Sequence, residues 1–137
     1  MTDATGRVRQ LRLVVRAEDY DEAVRFYRDV LGMPEEESYA GEGGAQVMIL
    51  DAGRATLELS NPAQVDMIDR VEGSSRPSAR LRVAFEVEDA VGTTASLVQA
   101  GAELIAEPVE TPWRSLNSRL EAPAGLQVTL FEELGPA

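Results

Sequence analysis

Apolar and polar positions along the chain switch between a strand-like and a helix-like period, and they do so twice in the same order. Leu11-Arg12-Leu13-Val14-Val15-Arg16 is an apolar, β-branched run of strand type, and Leu81-Arg82-Val83-Ala84-Phe85 repeats it about 70 residues later. Over nine positions, Leu11–Asp19 and Leu81–Asp89 share four identities and end on the same acidic pair. A helical segment follows each copy and closes on a glycine, Gly32 in the first and Gly101 in the second. Asp19 and Asp89 are suited to cap these helices, because an aspartate side chain accepts free amide hydrogens of the first turn. In the first helix Tyr20, Val24, Tyr27 and Leu31 recur at helical spacing, and Asp21 and Glu22 sit where the helix dipole favours negative charge. The second is weaker, containing Gly92, Thr93 and Thr94.

Strand patterns resume after each helix. In the first half they cover Glu35–Ala40, Ala45–Asp51 and Ala55–Ser60, and Gly41-Glu42-Gly43-Gly44 reads as a hairpin turn. In the second half they cover Glu103–Glu107, Trp113–Glu121 and Gln127–Glu132. Residues 61–79 join the halves, with a short helix expected at Ala63–Val71. The fold class is α+β: two tandem βαβββ modules, at about 9–60 and 80–134, within one domain spanning 1–137. One module cannot bury a sheet face alone, so the two are expected to form a curved eight-stranded sheet with a concave ligand cavity.

Composition removes several chemistries. The chain has 137 residues, no cysteine and no histidine. Thiolate and imidazole catalysis are therefore excluded, as is a metal held by sulfur or ring nitrogen. The formal net charge of −11 argues against a nucleic-acid partner, which needs a basic face. Met1–Gln10 contains no apolar run like a signal peptide, and no window approaches the roughly 20 apolar residues of a membrane span. A cytoplasmic protein with no membrane partner is expected.

The module plan, together with Arg25-Phe26-Tyr27-Arg28-Asp29-Val30-Leu31-Gly32, Ala100-Gly101-Ala102-Glu103, Thr111-Pro112-Trp113, Pro123-Ala124-Gly125 and Leu130-Phe131-Glu132, resembles the vicinal-oxygen-chelate superfamily of glyoxalases, bleomycin-resistance proteins and dioxygenases. The resemblance spans about residues 9–134. It implies four metal ligands, one each from the first and last strands of each module, usually His and Glu. The matching positions here are Arg12, Glu58, Arg82 and Thr129. Arginine stays protonated and repels a cation, so a member without the metal site and without a cofactor is expected. The resemblance further implies a homodimer.

Strand alternation places Arg12, Val14 and Arg16, Thr56, Glu58 and Ser60, Arg82 and Ala84, and Gln127, Thr129 and Phe131 toward the cavity. Arg12, Glu58 and Arg82 would then converge, either on an anionic or carbonyl oxygen of a ligand or as a purely structural ion network. Trp113 and Phe131, with Met48 as a further wall residue and Tyr39 as a weaker aromatic, suit a planar ligand, though Trp113 equally suits packing at a strand start. The first expectation is a metal-independent protein that binds a small organic ligand such as an antibiotic or aromatic metabolite. The alternative is a metal-free lyase or isomerase in which Glu58 is the general base and Arg12 and Arg82 stabilise an oxyanion.

Overall fold

The computed structural model describes residue 10 and residues 12–56 and 58–136. Helix α1 (Tyr20–Val24) continues into a π-helical stretch (Arg25–Val30), and a hairpin of β1 (Glu35–Ala40) and β2 (Gln46–Leu50) follows. Helix α2 (Pro62–Val71) crosses to the second half, where β3 (Arg82–Glu86), α3 (Ala90–Gln99), β4 (Glu103–Glu110), β5 (Ser115–Ala122) and β6 (Leu126–Glu133) complete one βαβββ module. Its sheet has the order β3-β6-β5-β4, with β3 parallel to β6 and the other pairs antiparallel.

The caps fall where the residue types predict. Asp19 accepts from the Glu22 amide and Asp89 from that of Gly92, each at 3.0 Å. Gly32 and Gly101 follow the helices at φ +90° and +113°, a region that side chains with a Cβ rarely enter. The apolar face of α1 differs from the expected stripe. Ala23, Phe26 and Tyr27 are the buried positions, while Tyr20, Val24 and Leu31 are half-buried. Tyr27 is thus common to the expected and the observed face, and within the π-helical stretch the Leu31 amide donates to the Phe26 carbonyl, five residues back.

That face meets its own module through Ala17, Met33 and Leu50, and the second half more extensively. Ala23, Phe26 and Tyr27 form one cluster with Leu97 of α3 and with Leu120, Val128 and Leu130 of the four-stranded sheet. Tyr27 also reaches across the chain, its hydroxyl donating to the Pro123 carbonyl at 2.8 Å. Burial, and then the charge of Glu121, push the Tyr27 hydroxyl pKa well up, so it remains a neutral donor.

Eight strands are expected from the repeat; among the described residues there are six, in sheets of two and four. The differences fall in the first half. Residues 12–17, and the described part of Ala55–Ser60, join no ladder. Leu11 and Leu57 lie outside the described residues. The physical reason is burial: with α1 packed into the second half, no apolar layer covers a sheet built from these segments. Helix α2 matches its expected position, starting at Pro62 behind the Asn61 cap. Among the described residues no helix is long and apolar enough to cross a membrane.

Candidate functional site

One face of the β3-β6-β5-β4 sheet packs on α1 and α3; the opposite face carries the polar residues. Register fixes who meets whom. Arg119 of β5 lies directly opposite Thr129 of β6, Asn117 opposite Phe131, and Arg82 of β3 beside Gln127. Directly paired residues share a face of a pleated sheet, as do residues two apart on one strand, so Arg82, Gln127, Thr129 and Arg119 stand on one face, with Arg82 one row along from the Thr129–Arg119 pair. The Arg82 Nη1 donates to the Thr129 hydroxyl. Of the expected site residues, these two are the pair that a hydrogen bond joins.

The centre of this face is a residue that the strand patterns did not single out. Arg119 has 0% exposure, beneath the end of α2. Its Nη1 donates to Asp69 Oδ1 at 2.7 Å and its Nη2 to Glu72 Oε1 at 2.9 Å. Glu72, only 3% exposed, also accepts from the Asn117 side-chain amide at 3.0 Å. Ser78 donates to Asp69 through both its hydroxyl and its backbone amide, and Asn117 in turn accepts from Ser115. Burial works against the charged form of Asp69, yet hydrogen bonds from Ser78 and Arg119 hold its carboxyl below the usual range. Arg82 is shifted down, first by burial and then by repulsion from Arg119, against the attraction of Glu72, Glu58 and Asp69. Among the described residues neither the Arg82 nor the Arg119 Nε has an acceptor, although both atoms are buried.

Arg119 carried a signal in the sequence, as the one basic residue at an inward position of the Trp113–Glu121 strand. Asp69 and Glu72 carried one too, as carboxylates three apart at the end of a short helix, where side chains share a face.

Glu58 and Trp113 lie together, but elsewhere. They line a cleft of about 710 Å³ with Leu59, Ser60, Asn61 and, from α2, Gln64, Met67 and Ile68. Trp113 is 48% exposed at the tip of the β4–β5 hairpin, where Arg114 takes a positive φ of 64°. Glu58 is exposed and accepts only a long contact from Ser60, 3.5 Å. Its charge nonetheless reaches Arg82. Arg12 is exposed, and its charge acts on Tyr39, whose hydroxyl donates to Glu37. Met48 is half-buried against the Arg28 guanidinium, and Phe131 is half-buried opposite Asn117. Neither lines the Trp113 cleft. A second groove of about 780 Å³ runs between Val30–Gly32 and the start of α3, with neither an aromatic nor a cationic side chain in its lining, so no site is built there.

A divalent ion does not fit the four positions at which relatives of this fold are expected to hold one. Arg82 and Thr129 are hydrogen-bonded to each other, and a guanidinium repels a cation. Among the described residues no group of three carboxylates stands close enough to substitute.

The profile of the Glyoxalase/Bleomycin resistance protein/Dioxygenase superfamily matches residues 9–130. The chain belongs to this superfamily. Solved structures with the same fold include a glyoxalase family protein from Bacillus cereus, at 20% identity and TM-score 0.62, covering 98% of this chain and 100% of that one. A glyoxalase-related enzyme from Fulvimarina pelagi matches at 17% identity and TM-score 0.55, covering 92% and 89%. A glyoxalase/bleomycin resistance protein/dioxygenase family enzyme from Burkholderia phytofirmans matches at 17% and 0.52, covering 85% and 91%. No curated protein matches the chain. At these identities the likeness to the solved structures is one of glyoxalase fold; activity does not transfer with it.

Proposed function

We propose that this glyoxalase-superfamily protein binds a small organic ligand with a planar apolar part, without a metal, in the cleft between Glu58–Asn61 and α2. The observation that carries this reading is Trp113. An indole half exposed beside Met67 and Ile68 offers a flat, polarisable wall, while Glu58, Asn61 and Gln64 supply polar contacts at the rim. Glu58 also favours a ligand with a cationic group near its ring, as does the overall charge.

As the only tryptophan of the chain, Trp113 reports directly on occupancy. Planar cationic antibiotics and aromatic amines are expected to quench its emission saturably, and Met67→Ala to weaken the apparent affinity about tenfold. Absence of saturable quenching across such a set would remove this reading.

The second reading is a metal-free lyase or isomerase with Glu58 as general base and Arg12 and Arg82 on an oxyanion. It draws on the influence of the Glu58 charge on Arg82. Product formation that survives chelation and is lost in Glu58→Gln would favour it; quenching with no turnover would not.

We further propose that the protein is a homodimer. Val14 and Leu59, at 85% and 86% exposure, with Leu13 and Leu81, present apolar side chains near unpaired extended backbone, and a second copy would cover both. Sedimentation at micromolar concentration checks this, with a monomer as the adverse result.

A further inference from the structure

We propose that Arg119 and Arg82 form a carboxylate-binding site, and that α2 fills it with Asp69 and Glu72 as a displaceable internal ligand. Three observations meet at this point. The first is convergence. Thr129 lies directly opposite Arg119, and Arg82 donates to Thr129 from the other side, so two guanidinium groups flank one hydroxyl on one sheet face. Their proximity shows in the repulsion by Arg119 that lowers the Arg82 pKa, second to burial.

The second observation is what remains unmade. With Asp69 on Nη1 and Glu72 on Nη2, the Nε of Arg119 still has no acceptor among the described residues, nor has the Nε of Arg82. A guanidinium presents its donors in a planar fork that suits a carboxylate held side-on, through Nε and one Nη together. Two separate side chains from one helix take the fork end-on and leave the inner donor bare. An incoming carboxylate would satisfy it. Other donors already point at the Asp69 and Glu72 carboxylates: the Asn117 side-chain amide, the Ser78 hydroxyl and the Ser78 backbone amide. The pocket therefore comes with a set of hydrogen-bond donors arranged for two carboxylates side by side, which is the chemistry of a small dicarboxylate.

The third observation is how α2 is attached. None of its residues, Pro62 to Val71, is buried. The tightly held positions are Glu72, directly after the helix, and the carboxylate of Asp69, while the apolar Val65, Met67, Ile68 and Val71 are only half-buried, so the deepest anchorage is ionic. Replacing an ion pair by a similar ion pair changes little in desolvation, unlike peeling a helix from a greasy surface. The intrachain carboxylates act as competitors at high effective concentration and lower the apparent affinity for any external anion. The carboxylate site is built on Arg119, Arg82, Asp69 and Glu72, none of which lines the Trp113 cleft, which α2 borders through Gln64, Met67 and Ile68. The two sites are distinct, and α2 connects them.

Malonate is the probe, titrated into the intact protein at constant ionic strength, with sodium chloride and sodium sulfate as controls. Hydrogen exchange of the amides of residues 65–72 is the readout. Malonate is expected to accelerate exchange there saturably, by about fivefold or more, with no comparable effect of chloride or sulfate. Asp69→Asn is expected to lower the half-saturating malonate concentration about tenfold, because one competitor is gone. Should that variant fail to fold, Ser78→Ala loosens the same carboxylate and is expected to shift the midpoint in the same direction. Unchanged exchange in α2 at high malonate, or equal acceleration by all three salts, overturns the proposal. Neither result affects Trp113 quenching by a planar ligand, so the failure of one site is distinguishable from the failure of the other.

Discussion

Leu59 and Leu130 occupy equivalent places in the two copies of the repeat, flanking Glu58 in one and Thr129 in the other, yet Leu59 is 86% exposed and Leu130 is 0%. The same contrast runs through both halves: Leu13 and Val15 are exposed where Val83 and Phe85 are half-buried. Alternation is alike in the two copies; what differs is the layer above it. Helix α3 lies over its own sheet and α1 joins the same core, to which the first half adds Ala17, Met33 and Leu50, whereas Leu13, Val14 and Leu59 stay exposed. Residues 12–17 and the described part of 55–60 thus form no strand without a surface to bury against, while β1 forms by pairing with β2 although its residues are exposed.

The largest effect expected from this asymmetry is at Phe26, a first-half residue in the core of the second half. Phe26→Ala is expected to destabilise the protein by about 3–5 kcal/mol in urea unfolding. Leu59→Ala and Val14→Ala, measured where the protein sediments as a monomer, are expected to stay within about 0.5 kcal/mol. A large loss at Leu59 under those conditions would break the comparison, since it would mean that the first half also has a core.

Charges sharpen it next. Glu72→Gln leaves Arg119 short of a buried partner and is expected to cost about 2 kcal/mol, whereas Glu58→Gln, in the exposed half, is expected to be neutral. Acid unfolding probes the same buried ion pairs. The Asp69 carboxyl titrates lower in the folded chain than in the unfolded one. Its stabilisation is thus fully present above the ordinary aspartate pKa and disappears as pH falls through the folded value. Asp69→Asn is expected to flatten the unfolding free energy against pH below about 4. The smallest effect is expected at Ala124, which takes a positive φ of 67° in the β5–β6 turn. Ala124→Gly should raise stability by about 0.5–1 kcal/mol, read as a higher Tm.

Much of this was legible in the order of residues. Both helices, their aspartate caps and glycine stops, the Gly41–Gly44 turn and the inward row of Arg82, Gln127 and Thr129 follow from local chemistry and period. These are short-range properties, set by caps, turns and side-chain alternation. The π-helical turn after α1 was not, and the buried face runs through Ala23 and Phe26 in place of Val24 and Leu31, with Tyr27 common to both. Of the candidate site, Arg82 and Thr129 meet as alternation implied, and Glu58 lies alongside Trp113 in a cleft. Arg119, Asp69 and Glu72 went unread because α2 and β5 are about 50 residues apart, and no local pattern states which face a connecting helix will cross.

Residue order alone specified the βαβββ plan of the second half, a composition without imidazole or thiol, and the arginine at a position where relatives are expected to bind metal. Tertiary structure alone decided which half holds the core, and that a linker helix sets its carboxylates on a buried arginine. The physical reason is common to both. Alternation and capping are encoded within a few residues, but burial and ion pairing depend on which surfaces the chain brings together over long separations.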